Sequence, residues 1–206
     1  VESTQVFEKF IEKPETHLGQ ALSNFVVCGL VRSPLSPDLE SKLRRLAPRT
    51  FFLSDYGQFF FTTQLYLDWA SNEENLLLKL GFARTGNEYE DAAAVLASRA
   101  VTPSGVDAQR LRGNALIVCV DRRQPRLCVY KTQLSIQEWF YTEIDQSLFM
   151  SNNPGALARF LGRQDINPEA VPSHFIFETV PGRQTYFKDI SRLRPGEIMY
   201  KLATGL

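Results

Sequence analysis

Pairs of short β-rich runs, separated by only a few turn residues, constrain this chain more than any other feature. Leu116–Val120 and Arg126–Tyr130 are apolar and rich in β-branched residues, and only Asp121-Arg-Arg-Gln-Pro125 separates them. A link this short closes an antiparallel hairpin, because a parallel pair needs a crossover of about a dozen residues or more. Thr50–Leu53 and Gln58–Tyr66 repeat the pattern around Asp55-Tyr-Gly57, as do Glu138–Thr142 and Gln146–Met150 around Ile144-Asp145. Taken in succession, the 116–130 and 138–150 pairs read as one antiparallel meander. Phe25–Arg32 and Glu197–Leu202 read as further strands, the second closing a loop-rich tail.

Helical patterns are inserted between these hairpins. In Asp38–Leu46 the residues Leu39, Leu43 and Leu46 share one face with charges opposite, and Asn72–Leu80, Tyr89–Arg99 and Pro154–Leu161 also read as helices. Residues 1–24 form a leading arm: Val6, Phe7, Phe10 and Ile11 recur at helical spacing before Pro14, and Leu18, Ala21 and Leu22 suggest a second short helix. Strands grouped in hairpins with helices as a block predict an α+β fold with antiparallel sheets, and 206 residues suffice for one full core.

Lys plus Arg and Asp plus Glu both number 23, so composition gives no case for nucleic acid or an anionic membrane surface as partner. Cys28, Cys119 and Cys128 make an odd set with no C-x-x-C pair, which fits free thiols in a reducing cytoplasm. No apolar run reaches the length of a membrane span, and no basic stretch precedes an apolar block at the start. The chain begins with Val1, so a processed, trimmed or excised chain is expected.

The stretch FVVCGLVR, Phe25–Arg32, poses the functional question: Cys28 is either a nucleophile or the remnant of one. Leu111-Arg-Gly-Asn-Ala-Leu-Ile-Val-Cys-Val-Asp121 resembles the leucine-x-glycine-x-phenylalanine-alanine, apolar strand, aspartate segment of class II glutamine amidotransferases of the asparagine synthetase type. Cys28-Gly-Leu30 resembles the Cys-Gly-Ile that opens those domains. Trp139-Phe-Tyr141 resembles their Pro-Leu-Tyr-Tyr strand, and Leu148-Phe-Met-Ser151 the strand after it. Thr185-Tyr-Phe-Lys-Asp-Ile-Ser-Arg-Leu-Arg-Pro-Gly196 resembles the stretch where these domains join the synthetase half, so 172–206 is the expected junction. The resemblance runs collinearly over about 25–202. It implies the N-terminal-nucleophile (Ntn) hydrolase fold, a four-layer αββα sandwich of two antiparallel sheets.

The site residues that the resemblance implies are incompletely present. The family's cysteine is the first residue of the mature chain, with its free α-amine as base, whereas 27 residues precede Cys28. The arginine that holds the glutamine carboxylate would be Arg49 in Leu46-Ala-Pro-Arg-Thr-Phe51, without the Gly-Pro-Asp that follows it in the family. A surface cation at a helix end is the simpler reading. The oxyanion Asn-Gly is missing; Asn72-Glu-Glu74 comes nearest and reads as a helix N-cap with acidic residues in the first turn. Glu88 takes the place of the aspartate that meets the substrate ammonium, or is a helix-start carboxylate. The Arg-Asp-x-x-Gly after the second strand of the pair has become Lys131-Thr-Gln-Leu-Ser135.

Cys119 and Cys128 read as small buried hydrophobes, and His17 and His174 as ordinary, without metal-like spacing. No Gly-rich phosphate loop is present, so no cofactor is expected in this domain. ATP and magnesium would belong to the synthetase half. The expectation is a degenerate glutaminase-like domain of an ATP-dependent amide-, lactam- or macrolactam-forming ligase, partnered by a synthetase domain or subunit and by a second copy of itself. Two alternatives stand beside it: an amidotransferase with Cys28 as nucleophile after loss of residues 1–27, and a non-catalytic peptide- or protein-binding module.

Overall fold

The computed structural model describes residues 26–46, 50–54, 58–63 and 68–202; the predicted arm at 1–24 lies outside them. The chain runs β1 (Val26–Leu30), α1 (Pro37–Leu46), β2 (Thr50–Leu53), β3 (Phe59–Thr63), β4 (Asp68–Ser71), β5 (Asn75–Arg84), α2 (Ala92–Ser98), β6 (Val101–Thr102), β7 (Gly105–Val106), β8 (Arg112–Asp121) and β9 (Arg126–Lys131). It continues through β10 (Phe140–Ile144), β11 (Ser147–Ser151), α3 (Pro154–Leu161), α4 (Ala170–Phe177), β12 (Ser191–Arg192) and β13 (Ile198–Leu202).

Two antiparallel sheets result, as the hairpins predict. The first has the order β12-β10-β11-β1-β3-β2 and the second β13-β9-β8-β5-β4, while β6 and β7 form a separate small hairpin. Alternation of side chains along each strand assigns the faces. Val26, Cys28, Leu30, Phe59, Phe61, Leu148 and Met150 of the first sheet meet Leu76, Leu78, Leu116, Val118, Val120, Leu127 and Val129 of the second in one buried cluster. The opposite face of the second sheet packs Leu77, Ile117, Cys119, Cys128 and Tyr130 against Ala92, Val95 and Leu96 of α2. The opposite face of the first packs Val27, Phe60 and Phe149 against Ala156, Leu157 and Ala158 of α3. The layers therefore read helix, sheet, sheet, helix.

Local chemistry starts and stops the helices. Asp91 caps α2 by accepting from Ala94 N at 2.8 Å, and Arg99 ends it in the left-handed conformation. Asn153 accepts from Ala156 N at 3.0 Å, Pro154 opens α3, and Gly162 closes it with φ 65°. No helix among the described residues is long and apolar enough to cross a membrane.

Four readings of the sequence are corrected. The predicted helix Asn72–Leu80 is a strand: Asn75–Arg84 is β5, paired along its whole length with β8 and buried on both faces over Leu76–Leu78. Asn72 caps no helix; its Oδ1 accepts from Glu74 N at 2.9 Å and Asn75 N at 2.8 Å, closing the β4–β5 turn. The meander is broken, because β8–β9 lies in one sheet and β10–β11 in the other, joined by a crossing at 132–139. The tail is also less loop-rich than predicted, since it contains α4 and β12.

Candidate functional site

Cys28 sits in the middle of β1, opposite Met150 on β11 and Phe61 on β3. Its side chain points into the inter-sheet cluster and the residue is 1% exposed. Burial pushes the thiol well above its ordinary value, so the thiolate that a nucleophile requires is disfavoured. Gly29 faces the other way, and a Cβ there would meet Leu148 O at 2.7 Å and the Phe60 ring at 2.9 Å. The Cys-Gly pair thus does two packing jobs: a small apolar side chain inside, and room for Phe60 outside.

Of the other predicted site residues, Glu88 lies apart from Cys28. Arg49 lies outside the described residues. Glu88 is exposed in the bend between β5 and α2, beside the bridge that pairs Ala83 with Glu90, whereas Cys28 belongs to the other sheet. It does not start the helix, a role taken by Asp91. Cys119 and Cys128 are fully buried free thiols facing each other across β8 and β9, and burial pushes Cys128 up to about 12. His174 is exposed on α4, with Nδ1 2.6 Å from the Tyr186 hydroxyl.

Two clefts carry polar chemistry. One, of about 370 Å³, opens beside the β8–β9 turn, where Asp121 is the organising acid. Its carboxylate accepts from Arg123 N at 2.8 Å, Gln124 N at 3.1 Å and Arg126 Nη2 at 2.7 Å. Burial would raise this carboxyl, but the hydrogen bonds from Arg123, Arg126 and Gln124 outweigh it and hold the group below its ordinary value.

The second cleft, of about 770 Å³, lies where the 132–138 crossing meets the tail, and Lys131, Glu138, Arg192, Arg194 and Glu197 line it. Glu197 accepts from Arg194 N at 2.8 Å and Arg194 Nε at 2.9 Å and pairs with Arg183. Burial opposes this carboxylate, but the Arg194 and Arg183 contacts keep it below the ordinary range. Lys131 is 2% exposed, and its Nζ donates to Leu193 O at 3.1 Å. Sequence reasoning registered Lys131 only as a lost arginine. The available signal was a cation ending the apolar run Arg126–Tyr130.

A third feature is apolar. On α4, Phe175, Ile176 and Phe177 are 81%, 70% and 61% exposed and Val171 is exposed too, while Ala170 is buried. This surface falls at the start of the 172–206 segment. Among the described residues no group of three or more His, Cys, Asp or Glu is placed to hold a metal ion. No protein-family model and no curated protein matches the chain.

Proposed function

We propose that this chain is a glutaminase-like domain that has exchanged its reaction for a packing and interface role within an asparagine-synthetase-like, ATP-dependent ligase. The observation that carries the reading is the position of Cys28: the residue where the resemblance puts the nucleophile is a core side chain between two sheets, sealed from solvent. A nucleophile of this class needs a base, access for the substrate amide and oxyanion donors. The Cys28 nitrogen is acylated by Val27 in this chain, Cys28 lines neither of the two clefts described above, and the sequence has no Asn-Gly.

The layer order, helix on each outer face of two antiparallel sheets, is compatible with the Ntn hydrolase sandwich that the resemblance implies. The interface role draws on α4, whose exposed aromatic and aliphatic side chains need a covering surface. That surface would be the synthetase domain, where carboxylate activation by ATP and magnesium would take place.

The test is a glutamine-to-glutamate assay on the chain, repeated on a form starting at Cys28 and in the presence of a synthetase partner. No glutamate in any arm, with stable association of the partner, is the expected result. Glutamate release by the form starting at Cys28 would overturn the reading and make the chain an amidotransferase. Association with an unrelated peptide in place of a synthetase would overturn it in favour of a stand-alone binding module.

A further inference from the structure

Two lysines are buried in the second sheet, and they are treated differently. Lys79 on β5, 6% exposed, has Asp68 Oδ2 2.8 Å from its Nζ and also donates to Gly81 O at 3.1 Å. Asp68 in turn accepts from Ala92 N at 3.1 Å, so the ion pair ties β4 and β5 to the start of α2. Lys131 at the end of β9 is more deeply buried, yet among the described residues no carboxylate lies within ion-pair distance of its Nζ, and its single hydrogen bond goes to Leu193 O. Glu138 and Glu197 offset its burial from a distance, but neither makes contact, and a buried ammonium without a contacting counter-charge is costly.

Lys131 helps to line the cleft of about 770 Å³. The nearby acids are committed elsewhere. Glu197 is held by Arg183 and Arg194. Glu138, whose side chain is 54% exposed, leans toward Arg192 with Oε2 3.0 Å from Nε, but Nε has no aligned acceptor. Arg192 itself is fixed: Nη1 donates to Val180 O at 3.0 Å, and its Cζ lies 5.8 Å from the Phe140 ring centroid. The lining cations Lys131, Arg192 and Arg194, with Arg183 paired to Glu197 beside them, outnumber the two carboxylates Glu138 and Glu197, so the cleft is net positive. Ile136, 79% exposed, supplies an apolar rim.

We infer that this cleft is a binding site for a single carboxylate borne on an apolar body, seated between Lys131 Nζ and Arg192 Nε, with Glu138 as a displaceable neighbour. A carboxylate is favoured over a phosphate dianion because a second negative charge would face both Glu138 and Glu197. Burial holds the Lys131 ammonium below its ordinary value, and a bound anion would relieve that penalty. The carboxylate could come from a small organic acid or from an acidic side chain of a partner's loop. The inference does not depend on the lost glutaminase reaction.

The test is an amide NMR titration of the 206-residue chain, following Ser135, Ile136, Gly182 and Gly196, with 4-methylpentanoate, its methyl ester, inorganic phosphate and the blocked tripeptide acetyl-Leu-Glu-Leu-amide. Saturable shifts with the acid, absent with the ester and weakened about tenfold or more in Lys131→Met and in Arg192→Gln, are expected. Lys131→Met keeps volume and removes only the charge, and matching β8 and β9 amide spectra would establish that it folds. Tighter binding of the tripeptide assigns the site to a protein segment, and tighter binding of the free acid to a small molecule. Shifts that do not saturate, that persist unchanged in both variants, or that are larger with phosphate would overturn the assignment.

Discussion

Gly81 on β5 and Gly113 on β8 stand diagonally across the paired residues Phe82 and Asn114, each pressed against the backbone of the opposite strand. A Cβ on Gly81 would lie 2.2 Å from Asn114 O, and one on Gly113 would lie 2.4 Å from Phe82 O. Both carry positive φ, 86° and 125°, inside an otherwise regular ladder. Gly81→Ala and Gly113→Ala should therefore each cost at least about 2 kcal/mol, the sum of an unfavourable backbone and a displaced strand. Urea denaturation of each variant would measure it.

Substitution of Cys28 separates a core residue from a nucleophile. Cys28→Ser places a hydroxyl in the apolar inter-sheet cluster, and its stability should fall by about 1–3 kcal/mol. Cys28→Ala should lose less and Cys28→Val little. A nucleophile in an open site would instead tolerate serine in thermal melts and lose only turnover, so comparing the three melting temperatures decides between them.

Asp121 should shape the acid limb of stability. Its folded pKa lies below the unfolded value of about 4, so its contribution is fully present above that value and is lost as pH falls through the folded pKa. Asp121→Asn should cost about 1–3 kcal/mol at pH 7, and the deficit should shrink as pH falls through the folded pKa. Glu197 titrates in the same window and stays in both proteins, so the difference between the two pH profiles reports Asp121 alone.

Lys131 has the opposite sign. Its folded pKa is lowered, so the penalty for burying the ammonium is complete at neutral pH and disappears as pH rises from the folded value towards the unfolded one of about 10.4. In the absence of an anion, Lys131→Met should be more stable than the parent by about 1 kcal/mol or more at pH 7, with the gap closing in alkaline melts.

The α4 surface should be dispensable for folding and needed for association. Phe175→Glu and Ile176→Ser alter residues 81% and 70% exposed, so melting temperatures should move by no more than about 0.5 kcal/mol equivalent. Under the proposed interface role, the same variants should lose the synthetase partner in sedimentation velocity experiments.

The hairpins were legible because their chemistry is local: β-branched runs, tight turns, and the Asp121 turn that orders itself through Arg123 and Gln124. The strand β5 was not. Its Leu76-Leu-Leu78 run is buried on both faces, so it lacks the period-two signature, and its leucines and lysine favour helix intrinsically. Asn72 completed the misreading, since the same side-chain acceptor serves a helix cap and a turn. The division of β8–β9 and β10–β11 between sheets was equally hidden. It rests on the long-range pairing of β11 with β1, while Thr132 Oγ1, donating to Gly113 O at 2.8 Å and accepting from Ala115 N at 2.9 Å, ties the exit of β9 back to β8. For the site, the sequence located Cys28 in a strand, but which side of that strand faces the second sheet follows only from packing. Helix α4 escaped notice because its apolar residues trace no stripe toward a core.

The position of β1 bears on how the protein is made. This strand is central in its sheet, yet one neighbour, β3, follows within about 30 residues while the other, β11, arrives more than 100 residues later, after the whole β4–β9 portion of the second sheet. On the ribosome, Val26–Leu30 therefore waits with one backbone edge unpaired while most of the chain is synthesised. Folding should therefore wait on a long-range closure, of the kind that is slow and exposed to wrong pairing. A pulse-labelled nascent chain truncated before Ser147 should show β1 amides unprotected on the β11 side.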